Sequence, residues 1–201
     1  MPILQKKNNS VHQQIGVWHI LESIDDLINL LKIKGFDVNN LLETKNELRL
    51  KQWLAVRLLL LEFYPNETIN YDKFGKPFLA NGVEISVSHA NEYAAITLNT
   101  EKKCGIDIEK ISTKVEKIKH KFLNEKELAL ANSFEKLTAF WCAKEALYKL
   151  YGEKELIFNE QLLLEPLNES LIKGTIKHGD KAEEHNLVVE KIDDFLLVYT
   201  I

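Results

Sequence analysis

Two long helical stretches, each set among short strand-like runs, constrain this chain more than any other feature. One opens where Thr44 and Glu47 stand at capping-box spacing, runs through apolar residues to Phe63 and stops ahead of Pro65. The other starts near Phe134 and ends near Gly152. Beside the first, Ile15–Ile20, Val83–Ser88 and Tyr93–Leu98 read as strands, and Ile24, Leu27, Ile28 and Leu31 mark a shorter helix between Ser23 as cap and Gly35 as stop. Beside the second, Cys104–Glu109 reads as a strand, and Asn124 with Glu127 opens a short capped helix that is irregular near Asn132–Ser133. The segments QLLLEP, SLIKGTIKHGD, NLVVEKIDD and FLLVYTI then alternate apolar runs with turns, as a closing antiparallel sheet does. The leader MPILQKKNNSVHQQ reads as polar. Strands grouped apart from helices predict an α+β fold rather than a doubly wound sheet, with two similar lobes at 1–100 and 101–201 sharing one interface.

Composition narrows the function classes. At 201 residues and 45% hydrophobic, the chain can bury a core without disulfides or a structural metal. The 26 basic residues against 30 acidic ones give a net charge of −4, which disfavours nucleic-acid coating while leaving room for a local anion site. Cys104 and Cys142 stand far apart and outside any zinc-ligand spacing, so a reducing, cytoplasmic setting is expected. The amino terminus has no apolar run of signal-peptide length, and LAVRLLLLEFY, broken by Arg57, is too short to span a bilayer. No membrane partner is expected.

Three short stretches carry side chains suited to chemistry. In GIDIE, strand alternation turns Asp107 and Glu109 to one face and Ile106 and Ile108 to the other. Paired carboxylates repel unless a cation or proton separates them, which suits Mg²⁺ or equally a solvated acidic edge. In WCAKEALYK, Trp141, Glu145 and Lys149 recur every four residues with Lys144 beside them, a pattern that an ordinary surface ion pair also produces. In ISVSHA, Ser88 and His89 close a strand and can donate to phosphate oxygens or simply finish a turn. Lys73 and Lys76 flank Gly75 in the turn YDKFGKP, and Arg49, Trp53 and Arg57 share one side of the first long helix.

In that order, GKP, SVSH, GIDIE and WxxKExxxK resemble the phosphopantetheinyl transferase family, in its monomeric, two-lobed, surfactin-synthetase-activating form. The resemblance runs from about Arg49 to Lys149 and implies two pseudo-symmetric lobes, each with antiparallel strands on a long helix, and an active site at their interface. It further implies that Asp107, Glu109 and Glu145 bind Mg²⁺ or Mn²⁺, and that Lys144 and Lys149 contact phosphate. Ser88 and His89 would hold the coenzyme A donor, with Arg49 and Lys76 in regions similar to other nucleotide contacts. Ala90 departs from the family, which often has a second serine there. The implied reaction moves the 4′-phosphopantetheine arm of coenzyme A to a serine of an apo acyl or peptidyl carrier protein, with Glu145 as proton acceptor and Lys149 on the leaving group. The carrier would dock on Lys110–Leu123, where Lys110, Lys114, Lys117, Lys119 and Lys121 face only Glu116, and Phe122 and Leu123 add apolar surface. A metal-dependent phosphoesterase and a silent carrier-binding module are the competing readings.

Overall fold

The computed structural model describes residues 3–39, 41–153 and 156–201. The chain is α+β and divides into two compact units, residues 1–102 and 103–201, each with its own sheet and core.

The first unit runs β1 (Ile3–Asn8), β2 (Gln13–His19), α1 (Ile24–Ile33), α2 (Glu47–Phe63), the short pair β3 (Asn70–Tyr71) and β4 (Pro77–Phe78), then β5 (Glu84–Ala90) and β6 (Tyr93–Asn99). Its main sheet has the antiparallel order β1-β2-β6-β5. Leu54, Leu58 and Leu59 of α2 are fully buried with Leu27 and Leu31 of α1 and Ile96 of β6. Burying a leucine of this kind stabilises by roughly 1.5–3 kcal/mol, so α2, buried continuously from Leu54 to Leu61, contributes strongly to the unit.

Three local features differ from expectation here. The leader forms β1, an edge strand whose side chains alternate between half-buried and exposed, with Lys6 reaching the carbonyl of Glu62 at 2.6 Å. Polar outward residues and lysines suit such an edge, and they hid it from a reading that looked for apolar runs. The cap of α2 is Asn46, whose side chain accepts from the Arg49 amide at 3.0 Å, while Thr44 Oγ1 accepts from the Asn46 amide one turn earlier. His89 lies inside β5, paired with Ala94 of β6, rather than beyond the end of the strand.

The second unit begins with β7 (Ile106–Lys110), followed by a 3₁₀ turn at Val115–Ile118, α3 (Lys119–Phe122), α4 (Glu125–Leu130) and α5 (Phe134–Tyr151). After α6 (Phe158–Gln161) come β8 (Leu162–Pro166), β9 (Leu171–His178), β10 (Lys181–Ile192) and β11 (Phe195–Thr200), in a sheet ordered β7-β11-β10-β9-β8. The α4 capping box between Asn124 and Glu127 is present, and α5 runs from a Ser133 cap to a left-handed Gly152 with φ of 75°. Leu147, Cys142 and Ala146 of α5 pack on Leu187, Leu196 and Val198 of the sheet.

Candidate active site

The second unit places the acidic strand directly against the second long helix. Gly105 allows it: a Cβ on that residue would lie 1.9 Å from the backbone oxygen of Ala146 in α5. The Gly105 amide also donates to Thr200 Oγ1, and the Thr200 amide to the Gly105 carbonyl, both at 3.0 Å. This clasp fixes the start of β7, and the alternation that follows turns Asp107 and Glu109 to the same side. Asp107 is 4% exposed and Glu109 is half-buried.

From α5, Lys149 Nζ donates to Asp107 Oδ1 at 2.8 Å and to the Ile106 carbonyl at 3.1 Å. Glu145, one turn earlier on the same side, is pushed up to about 7 by burial and then by the Asp107 charge, with Lys149 opposing and Glu109 adding to the rise. Glu109 is also raised, by burial first and Asp107 second, while a hydrogen bond from Trp141 and the charges of Lys149 and Lys114 oppose this. The Cys142 thiol, buried beside Asp107, is raised well above its ordinary range by burial. Three carboxyls thus feel one another across β7 and α5. Among the described residues, no three His, Cys, Asp or Glu side chains converge closely enough to form a ready metal cluster. The cation at Asp107 is the Lys149 ammonium.

Lys144 points elsewhere. It is fully buried, and its three protons go to the Phe122 carbonyl at 2.6 Å, Glu127 Oε2 at 2.6 Å and the Phe158 carbonyl at 3.0 Å. Burial lowers its pKa, and the Glu127 hydrogen bond and charge oppose that shift. Glu127, 1% exposed, also accepts from the Asn124 amide at 3.0 Å and from the Leu164 amide at 2.9 Å. One buried ion pair therefore ties the end of α3, the starts of α4 and α6 and strand β8 to α5.

Sequence reasoning missed three parts of this arrangement. Asn124–Glu127 spacing showed Glu127 as a cap and gave no sign of its lysine partner. Trp141, read as core or surface, packs edge-on to Phe122 at 5.1 Å between ring centres and donates to Glu109. Cys142 had no signal beyond its helical spacing. Phe122 and Leu123, expected to offer apolar surface, are 1% and 2% exposed and belong to the core.

The remaining expected residues belong to the first unit. Arg49 is exposed at the start of α2, Ser88 is buried in β5 and His89 is exposed there. Lys76 sits in a loop organised by Asp72, whose Oδ1 accepts from the Phe74 and Lys76 amides, both at 2.8 Å. Those backbone donors, the Lys76 amide foremost, hold the Asp72 carboxyl below its ordinary range.

The family-model match falls on the same half of the chain. The family model for the 4′-phosphopantetheinyl transferase superfamily matches residues 103–199. Over 110 residues the chain is 30% identical to the 4′-phosphopantetheinyl transferase gsp of Aneurinibacillus migulanus, an alignment taking in 50% of this chain and 46% of that protein. The chain thus spans about half the length of the curated relative it matches. No helix among the described residues is long and apolar enough to cross a membrane. The segment that carries Asp107, Glu109, Glu145 and Lys149 lies within residues 103–199, which are similar to the 4′-phosphopantetheinyl transferase superfamily.

Proposed function

We propose that the protein transfers the 4′-phosphopantetheine arm of coenzyme A to a serine hydroxyl of an apo acyl or peptidyl carrier protein and releases adenosine 3′,5′-bisphosphate. The observation that carries this reading is the crowding of Glu145 against Asp107 and Glu109 beside Lys149, in a segment similar to the transferase superfamily. Two of these carboxyls are pushed toward holding a proton, so the donor set gains when a hard divalent cation arrives. Oxygen donors of this type fit Mg²⁺ or Mn²⁺, with Asp107, Glu109 and Glu145 as ligands. Bound there, the ion would neutralise charge on the pyrophosphate.

The chain's own groups divide the rest of the work. The serine oxygen forms a bond to the phosphorus nearest the pantetheine arm, and the bond from that phosphorus to the bridging oxygen breaks. Glu145 takes the serine proton directly or through one water. Lys149 turns from Asp107 toward the departing bisphosphate, whose charge it stabilises. Lys144 leaves the phosphate-binding set, because its donors are spent on protein acceptors. Arg49, Lys76, Ser88 and His89 remain the coenzyme A contacts by resemblance.

An acidic carrier would meet the segment after β7. Lys110 pairs with Asp194 at 2.9 Å and Lys119 with Glu116 at 3.6 Å, whereas Lys117 and Lys121 are exposed and form no ion pair among the described residues. Incubation with coenzyme A, Mg²⁺ and a panel of apo carriers, followed by intact mass of each carrier, tests the proposal. A phosphopantetheine mass increase on a carrier is expected. Coenzyme A cleavage without carrier modification would make the protein an esterase, and binding without either would make it a docking module; both results overturn the transferase reading.

A further inference from the structure

Helix α2 holds a buried cation that the proposed reaction does not use. Arg57, 6% exposed, lies flat over the Trp53 indole with its guanidinium carbon 3.2 Å from the ring centre, and Nη1 donates to the Trp53 carbonyl at 3.1 Å. Its other neighbour is the Tyr71 phenol. Among the described residues no carboxylate comes within ion-pair distance of it, and burial lowers its pKa more than Tyr71 raises it. Five guanidinium donors cannot be met by one carbonyl and one phenol. A charge removed from water without a counter-charge is costly, and proteins rarely keep one without a use.

Arg57 also lines a cavity of about 550 Å³ in the first unit, bounded by the α1 terminus, the later half of α2 and the loop after Pro65. That volume suits a small organic ligand. Trp53, held edge-on by Phe36 at 6.4 Å between ring centres, offers a flat wall, and Asn66 and Thr68 bring polar groups to the rim. The other charges on the wall are Lys34, which pairs with Glu62, and the carboxylates of Asp37 and Glu67. Asp37 is engaged by the Asn39 amide at 2.9 Å. The most buried of these charges is thus a cation with spare donors, on a residue of the cavity wall.

We infer that this cavity binds a small molecule through a carboxylate or phosphate group seated on Arg57, with a flat or compact body against Trp53, at a site separate from the proposed coenzyme A contacts. Both oxyanions match the planar donor fork of a guanidinium, which is why the chemistry is stated at the level of the anion. The inference uses none of Arg49, Lys76, Ser88 or His89, so it stands or falls independently of the transferase reading.

The test follows the Arg57 Nε–H and Trp53 indole N–H resonances of the full chain during titration with inorganic phosphate and, separately, acetate, at constant ionic strength held with chloride. Saturable movement of both signals with at least one anion is expected, with affinity at least tenfold weaker in Arg57→Lys, which keeps the charge but loses the fork. Signals that move linearly, or no more than chloride moves them, overturn the inference in the wild-type protein, whatever the variant's stability. A final titration adds coenzyme A to the phosphate-loaded protein. Unchanged phosphate affinity supports a separate site, and competition at Arg57 overturns that separateness.

Discussion

Removing the Lys144 ammonium gives a measurable account of what the buried pair does. In Lys144→Met the methylene stem is largely kept, but the Phe122 and Phe158 carbonyls lose a donor and Glu127 loses the cation it pairs with. Glu127 keeps the amides of Asn124 and Leu164, so its environment stays polar without being neutral. Breaking a buried pair from one side costs about 3–5 kcal/mol. A second limit comes from the escape route of any buried carboxylate, which is to take up a proton. An ordinary carboxyl gives up its proton near pH 4.3, so forced protonation costs about 1.4 kcal/mol per pH unit above that, near 4 kcal/mol at pH 7 and near 1 kcal/mol at pH 5. The two routes agree at neutral pH and separate on acidification. Denaturant unfolding of wild type, Lys144→Met, Glu127→Gln and the double variant, followed through amide resonances of residues 103–201, should show a loss of about 3–4 kcal/mol for Lys144→Met at pH 7 that shrinks toward pH 5. The double variant should lose less than the two single losses added together. A Lys144→Met loss under about 1 kcal/mol at pH 7, or one unchanged between the two pH values, would refute the argument.

Other consequences can be checked alongside. Gly105→Ala presses a methyl carbon into the backbone of α5, where no side chain can yield, and should cost at least about 3 kcal/mol; a variant within 1 kcal/mol of wild type would show that the strand shifts freely. Because the native Glu145 carboxyl is raised to about 7 from an ordinary 4.5, the folded state holds more protons than the unfolded one between those values. Its contribution is complete below pH 4.5 and lost as pH rises to 7, by at most about 3 kcal/mol. In chelator-treated protein Glu145→Gln should therefore flatten the decline in stability between pH 5 and 7, and an unchanged slope would remove the assigned shift. Lys149→Met should lower carrier modification by roughly 10²–10³ in rate at saturating coenzyme A, and a change confined to apparent affinity would count against its work on the leaving group.

Much of the fold was legible because its sequence signals are local. The α2 and α5 stripes, the cap at Asn124 and the alternation in GIDIE all follow from rules that act within a few residues, and each has its counterpart in the structure. The α2 start moved from Thr44 to Asn46 because two hydroxyl or amide side chains compete within one turn, and only the backbone geometry decides between them. Strand β1 escaped notice because edge strands shed the apolar signal that marks buried ones. Within the site, the crowding of Glu145 against Asp107 could be expected only through family resemblance, since nearly forty residues separate them along the chain. Lys144 shows the opposite limit. Its neighbour in sequence, Glu145, feels the acidic cluster, yet a turn of about 100° per residue sends Lys144 to a different partner that no local spacing reveals.

The knot around Glu127 also settles what the stretch between β7 and α4 is free to become. Ile111 is held by its amide to the carbonyl of Asp194 at 2.8 Å, Phe122 is held by its carbonyl to Lys144 at 2.6 Å, and Val115 between them is buried in the core with Ile118 packed against it, so the span is tied at both ends and in its middle. Sequence drift inside that span can redraw the exposed charges without disturbing the strand and helix on which the acids stand. Selection can thus rewrite the charges of this patch while the acids behind it stay in place.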